Sequence, residues 1–324
     1  MTLPEFSRRS PFGPEDLTGR VKKTDKYCFA NGSLADIWLG ELQKKDGTTH
    51  IVAVKVIRSV WDQECLERLN TKLIREALVW SRLEHPNITP FYGISFDLGV
   101  RSAPCLVSPY YINGTLSKYL ESSTDFDKIS LICQIASGLA YLHQNDVVHG
   151  DIKSSNILIN DKREASISDF GLSRLLQYTG FTTKVVGGTY RWMAFELVNP
   201  ENDEEEEPAI TTATDVWAFA MTVLEACCTP SILSGKLPFY WMKYDAAVIL
   251  HVMRGGRPTP DHYPSINQDM WAILKMCWHP DPDQRPNMDS LHHYFNSLRL
   301  GPVQVPVAEL EHSLEHILYS QPWC

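Results

Sequence analysis

The chain has 324 residues, 44% of them hydrophobic, and a formal net charge of −9. That length fits two average domains or one two-lobed unit of ~250–300 residues, and the apolar content excludes a disordered chain. An acidic chain with no concentrated Lys/Arg stripe is a poor match to nucleic acid or to an anionic membrane, and neither is expected as a partner. No run approaches the ~18 apolar residues of a membrane span. The N-terminal MTLPEFSRRSPFGPEDL lacks the apolar centre of a signal peptide. Eight cysteines are scattered through apolar contexts without paired metal-ligand spacing. They read as reduced core thiols of a cytoplasmic chain, with a nuclear location also compatible.

Residues 1–16 are rich in Pro, Ser and charge and read as a flexible arm. Strand-like runs follow at Tyr27–Phe29, Asp36–Leu42 and Ile51–Ile57, the last two separated by the turn residues Lys45-Asp46-Gly47. A helical stretch is expected over Trp61–Leu83, then strands at Phe91–Phe96 and Cys105–Pro109. From Gly114 the pattern turns helical. Ile129–His143 carries Ile129, Ile132, Ile135, Leu139 and Leu142 at helical spacing, and further helices are expected at Thr212–Cys228, Ala246–Arg254, Gln268–Trp278 and Met288–Leu298. The fold class is therefore α+β. A small β-rich lobe with one long helix (residues 17–109) joins a larger helical lobe (110–298), and the cleft between them suits a ligand. The acidic run Asp203–Glu207 reads as a solvated loop, with docking of a basic substrate as the sharper alternative. In the tail, 299–324, Val307, Leu310, Leu314, Ile317 and Leu318 recur at helical spacing. They read as a short amphipathic helix packed on the domain, a partner-binding helix being the lesser reading.

Three polar constellations stand out against this background. Val52-Ala53-Val54-Lys55 ends a strand with a lysine that can reach the cleft, and Glu76, nine positions before His85-Pro86-Asn87-Ile88, is its natural partner. Alone, such a lysine is more often a surface residue; the pairing raises its specificity. His149-Gly150-Asp151-Ile152-Lys153-Ser154-Ser155-Asn156 places a carboxylate, an ammonium and a neutral amide oxygen within one loop, flanked by the short apolar runs Val147-Val148 and Ile157-Leu158-Ile159. Asp169-Phe170-Gly171 follows Asp151 by 18 positions, room for a strand–turn–strand that returns Asp169 to the cleft. This is what phosphoryl transfer needs: placed cations, hard oxygen ligands and an oriented nucleophile. Asp151 would take the proton of a substrate hydroxyl, Lys153 would offset charge on the transferring phosphate, and Asn156 and Asp169 would hold Mg²⁺.

Together with Gly188-Thr189-Tyr190-Arg191-Trp192-Met193-Ala194-Phe195-Glu196, Asp215-Val216-Trp217 and Gln284-Arg285-Pro286, these motifs resemble the eukaryotic protein kinase domain over about residues 17–298. The tyrosine-kinase-like group, as in fungal-type Ser/Thr kinases, is the nearest pattern. The resemblance implies transfer of the γ-phosphate of ATP to Ser/Thr hydroxyls of a protein substrate, with ATP and Mg²⁺ as cofactors. It also implies that Ile37, Ala53 and Leu158 sandwich adenine, and that Ser108 is the gatekeeper. The Pro109 carbonyl and the Tyr111 N–H would bind the adenine edge, with Ala30 and Gly32 in the phosphate-covering loop. Glu196 would pair with Arg285, Asp215 would hold the catalytic-loop backbone, and Trp80, Phe91, His149 and Phe170 would stack between the lobes. The sequence carries no signal for oligomeric state.

Three departures accompany the resemblance. Ala30-Asn31-Gly32-Ser33-Leu34-Ala35-Asp36-Ile37 keeps only the central glycine of G-x-G-x-x-G-x-V. Gly150 replaces the Arg of H-R-D, so activity is not expected to need phosphorylation at Ser173, Tyr178, Thr179, Thr182 or Thr183. Phe195 replaces the Pro of A-P-E, expected to cost little. Two alternatives stay open. The glycine-poor loop favours a pseudokinase that binds partners without chemistry, and H-G-D-x-x-x-x-N is shared with small-molecule phosphotransferases.

Overall fold

The computed structural model describes residues 13–25, 27–31, 35–57, 63–99, 104–123, 125–170, 189–198, 209–227 and 237–300. Its first part is an antiparallel sheet of six strands: β1 (Val21–Lys23), β2 (Ala30–Asn31), β3 (Ala35–Gln43), β4 (Thr49–Ile57), β5 (Gly93–Ser95) and β6 (Cys105–Pro109). The order is β1-β3-β4-β6-β5, with β2 also against β3. Helix α1 (Gln63–Trp80) shares a core with it through Leu73, Ala77 and Trp80, which cluster with Ala35, Ile57, Ile94 and Leu106. The register places Ile37 opposite Lys55, and Ala53 opposite both Leu39 and Ser108. Side chains alternate across a strand, so Ile37, Ala53, Lys55, Leu106 and Ser108 share one face. The other face carries Val52, Val54 and Val107, which join Leu17, Val21, Leu42, Val56 and Cys105 in a small core of their own.

The second part is helical: α2 (Leu116–Ser122), α3 (Lys128–Gln144), α4 (Phe195–Val198), α5 (Thr212–Cys227), α6 (Asp245–Met253), α7 (Gln268–Cys277) and α8 (Met288–Leu300), with the hairpin β7 (Ile157–Ile159) and β8 (Ala165–Ile167). Helix α5 is buried all round from Thr214 to Cys227, as befits a helix at the centre of a core. Helix α3 starts at an Asp127 side-chain cap on the Ser130 N–H. It lies so close to the 85–89 segment that a Cβ on Gly138 would sit 2.6 Å from the Asn87 carbonyl oxygen. That segment ties the two parts together. Ile167 N donates to Asn87 O at 2.8 Å, Thr89 N to Ile167 O at 2.8 Å, and Asn87 Nδ2 to Ala165 O at 2.9 Å.

Several boundaries differ from expectation. Tyr27–Phe29 lies outside the strands; pairing with β3 begins at Ala30, although Phe29 N already donates to Ile37 O. Strand β1 was not anticipated, and α1 stops at Trp80 instead of Leu83. The arm read over residues 1–16 ends sooner. Ile94 N donates to Glu15 O, Asp16 bridges Ile94, and Glu15 pairs with Arg20 at 2.7 Å. The two contacts with Ile94 join positions almost eighty residues apart, which local patterning cannot report. Residues 1–12, Gly32, Gly171, Gly188, the five candidate phosphorylation hydroxyls, the acidic run 203–207 and the tail beyond 300 lie outside the described residues. Cys105, Cys133, Cys227 and Cys277 are buried, and Cys28 is partly so. Burial pushes the pKa of Cys105 and of Cys277 up to about 12. Among the described residues no helix is long and apolar enough to cross a membrane.

Candidate active site

Hairpin β7–β8 assembles the site. Ile157 opposes Ile167, so Asn156 and Ser168-Asp169 meet at the open end of the hairpin. Ser168 holds them there, donating from both its N–H and its hydroxyl to Asn156 O at 2.9 Å. Asp169 adopts φ 65°, a left-handed conformation costing about 1 kcal/mol for a residue with a side chain and sustained by such surrounding bonds. Its Oδ1 lies 2.7 Å from Lys55 Nζ, so the lysine at the end of V-A-V-K reaches across to the helical part. Sequence reasoning did not anticipate that pair. Glu76, the partner it did expect, is half-buried on α1 one turn before Trp80.

The loop 149–156 is held from beneath by Asp215, buried in the first turn of α5. Its Oδ2 accepts from His149 N at 2.7 Å and its Oδ1 from Gly150 N at 2.7 Å, while His143 Nε2 lies 3.0 Å from Oδ2. Gly150 sits at φ 78°. Glycine takes this conformation at no steric cost, whereas a side chain there would strain the loop. His149 Nδ1 accepts from Asp151 N at 3.1 Å, which leaves the proton on Nε2 to donate to Ser168 O at 2.9 Å. This neutral tautomer suits a fully buried ring, and desolvation pushes the His149 pKa down. His149 thus fastens the loop to the strand end bearing Asp169.

Within the loop, one oxygen of Asp151 is committed and the other is free. Asn156 Nδ2 donates to Asp151 Oδ2 at 2.8 Å and to Asp151 O at 2.7 Å, and Lys153 Nζ lies 2.8 Å from Oδ2. Lys153 Nζ also donates to Thr189 Oγ1 at 2.9 Å. Among the described residues, Asp151 Oδ1 is buried with no hydrogen-bond partner. A buried carboxylate oxygen left unpaired is costly.

The lobes are linked by rings in sequence: Phe91 on Trp80 at 4.6 Å, Trp80 on Phe170 at 5.3 Å, and Phe170 on His149 at 6.3 Å. Trp80 Nε1 donates to Thr89 O at 2.7 Å. The four side chains named from sequence therefore do form one chain. Glu196 and Arg285 pair through two parallel bonds of 2.7 Å.

Of the residues expected around adenine, Ile37, Ala53, Lys55 and Ser108 share the cleft-side face of the sheet. Leu158 is half-buried on β7. Pro109 ends β6, and Tyr111, two residues on, accepts from Gly114 N at 3.0 Å. The glycine-poor loop loses part of its difficulty. Ala30 pairs with Ile37 and Ala35 with Ile57 in regular strands, and neither has positive φ. Alanine takes that extended backbone freely.

Sequence reasoning missed Glu225, on α5. Ser154 Oγ donates to its Oε1 at 2.7 Å, Ser154 N to its Oε2 at 3.2 Å, and Trp192 Nε1 to its Oε2 at 2.9 Å. The signal was present: one acid in the apolar run Val223-Leu224-Glu225-Ala226-Cys227. It also missed buried Arg191. The Arg191 guanidinium pairs with Asp245 at 2.9 Å and donates to the carbonyls of Pro238, Phe239 and Met242, binding the turn at 190–192 to the 238–245 segment.

Residues 26–295 match the family model described as protein tyrosine and serine/threonine kinase. The chain is 28% identical over 270 residues to serine/threonine-protein kinase STY17 of Arabidopsis thaliana, covering 80% of this chain and 42% of that protein. It is 29% identical over 272 residues to serine/threonine/tyrosine-protein kinase HT1 of the same plant, covering 81% and 63%. Mitogen-activated protein kinase kinase kinase 3, also from Arabidopsis thaliana, is 28% identical over 286 residues, covering 86% and 43%. The chain thus spans less than two thirds of each of these relatives. They accord with the tyrosine-kinase-like resemblance, and the lobes, hairpin and ring stack have the arrangement it implied. The chain belongs to the protein tyrosine and serine/threonine kinase family.

Proposed function

We propose that the chain transfers the γ-phosphate of ATP to Ser or Thr hydroxyls of a protein substrate. The observation that carries this reading is Asp151: Asn156 and Lys153 fix one oxygen, and the other is buried without a partner among the described residues. Such an oxygen can accept the proton of an incoming hydroxyl without first breaking a bond. Lys153, which lies between Asp151 and Thr189, would offset charge on the transferring phosphate. Lys55 supplies a second cation on the sheet side, and Glu76 is proposed to steady it from α1. Ile37, Ala53 and Leu158 would flank adenine, with Ser108 behind it, Pro109 and Tyr111 along its edge, and Ala30 and Gly32 over the phosphates.

The residues present fit a magnesium ion. Asp169 offers a carboxylate, and Asn156, its Nδ2 committed to Asp151, keeps Oδ1 for a ligand; both are hard oxygen donors. Bound there, the metal would neutralise the phosphate oxygens. Gly150 stands where the family has the arginine that an activation-segment phosphate would neutralise, which supports activity without such phosphorylation.

Label transfer from γ-labelled ATP to a basic protein tests the reading. The wild type is expected to label the acceptor in the presence of Mg²⁺, and Asp169→Asn to lose that labelling while remaining folded. A folded wild type that transfers nothing points to the partner-binding alternative. Label found only in small metabolites points to a small-molecule phosphotransferase.

A further inference from the structure

Residues 15–19 precede the first strand and lie outside the 26–295 span of the family model, yet they are bound along the edge of β5 that β6 leaves open. Leu17 N donates to Ile94 O at 2.7 Å, and Ile94 N to Glu15 O at 2.9 Å. Phe96 N donates to Thr18 Oγ1 at 3.2 Å, and Gly19 N to Asp97 Oδ2 at 2.9 Å. The approach is close. A Cβ on Gly93 would stand 2.2 Å from Glu15 O, and Gly93 holds φ 148°. Glycine at this position is what leaves room for the segment. An open strand edge invites pairing, and here the chain fills it with its own N-terminal part.

Leu17 turns this edge contact into a link with the cleft. Its side chain is 1% exposed and clusters with Val52, Val54, Val56, Cys105 and Val107 in the core behind the sheet. Along β4 and β6 these residues alternate with Ala53, Lys55 and Ser108, which share the cleft-side face. In a close-packed interior, the places of the valines fix the places of the residues between them. We propose that residues 15–19 form a releasable strap that sets nucleotide affinity, with Leu17 as its positioning residue. Leu17 acts through Val52, Val54 and Val107 and not by contact with the nucleotide. The proposal rests on the reading of the cleft as a nucleotide site.

The strap is built to come away without unfolding the sheet. Leu17 is its one buried residue; Glu15, Asp16, Thr18 and Gly19 are exposed. Glu15 pairs with Arg20 and Lys45 at the surface, where ion pairs hold weakly. Segments with so few buried contacts open well below the cost of global unfolding. The sheet keeps its own ladders from β1 to β5 when the strap leaves. What it loses is the leucine against its outer core, and with it the fixed places of Ala53 and Lys55. The catalytic loop stays put, because Asp215 holds it from the helical part.

The test reads ADP binding in the presence of Mg²⁺ by calorimetry, beside amide exchange at Ile94, on the full chain. Leu17→Ala is expected to speed exchange of the Ile94 N–H. It should raise the Kd for ADP by about 2- to 30-fold, the range for residues that act through packed contacts, at unchanged stoichiometry. Loss of folded protein alone would lower the stoichiometry and leave Kd as it was. Leu17→Met, of similar volume, should restore both values. Gly93→Ala should release the strap from the other side. The double variant should then bind no more weakly than the weaker single, since one strap is lost once. If Leu17→Ala does not fold, Leu17→Val carries the same expectation. A Leu17 variant that frees the Ile94 amide yet binds ADP as the wild type does overturns the proposal and leaves the kinase reading standing. Fully additive losses in the double variant do the same. A wild type that binds no ADP overturns both, and shows it in the unaltered chain.

Discussion

Asp151→Asn is expected to lower kcat for phosphate transfer by about 10²–10⁴-fold, the usual worth of a positioned general base, with the KM for ATP little changed. The geometry makes the substitution discriminating. Asn156 Nδ2 and Lys153 Nζ both approach Asp151 Oδ2, so an asparagine would turn its carbonyl oxygen towards them. Its amide nitrogen would then occupy the place of Oδ1 and present donors where a substrate hydroxyl needs an acceptor. The loop would keep its shape, because Asp215 holds it through the backbone of His149 and Gly150 and not through the Asp151 side chain. Steady-state kinetics with saturating peptide, beside a melting curve showing intact folding, is the check. A variant that keeps wild-type kcat would remove Asp151 from the reaction.

Arg285→Ala is expected to destabilise the chain by about 3–5 kcal/mol, the range for breaking a buried ion pair, read as a lower midpoint in urea unfolding. The Arg285 side chain is 0% exposed and Glu196 only 25%. Beyond the two bonds to Glu196, the guanidinium donates to His279 O and Ala213 O at 2.9 Å and lies 5.1 Å over the Trp217 ring. Removing it strands a carboxylate and two carbonyls together. One effect offsets part of the loss. Arg257 stands 4.5 Å over the same Trp217 ring, and burial, then Arg285, push its pKa down to about 10; without Arg285 that repulsion ends. Glu196→Ala should cost less, since it leaves a cation that still has two carbonyl acceptors. Equal and small losses in both variants would show that the pair does not tie α4 to the helical part.

The parts of this molecule legible in the sequence are those where local pattern and chemistry coincide. Strand β4 is a β-branched, apolar run that ends near Lys55, α3 carries apolar residues at helical spacing, α5 is apolar almost throughout, and the loop 149–156 announces itself by dense polar residues between apolar runs. The spacing from Asp151 to Asp169 read correctly as a hairpin because β7 and β8 are short, adjacent and apolar. What escaped depends on contacts between distant positions. Strand β1 is three residues long and takes its partner from β3. Glu15 and Asp16 look like arm residues until Ile94 is placed beside them. Lys55 meets Asp169 only because the two parts close on each other. Glu225 is one acid in an apolar helix, and its three donors come from residues 33 and 71 positions away.

The chemical position of the transferred phosphate tests the central claim most directly. After incubation of the chain with γ-labelled ATP, Mg²⁺ and a protein acceptor, partial acid hydrolysis is expected to release the label as phosphoserine and phosphothreonine. A folded chain whose acceptor carries no labelled hydroxyl amino acid would contradict the reading of Asp151 as the base for a protein hydroxyl.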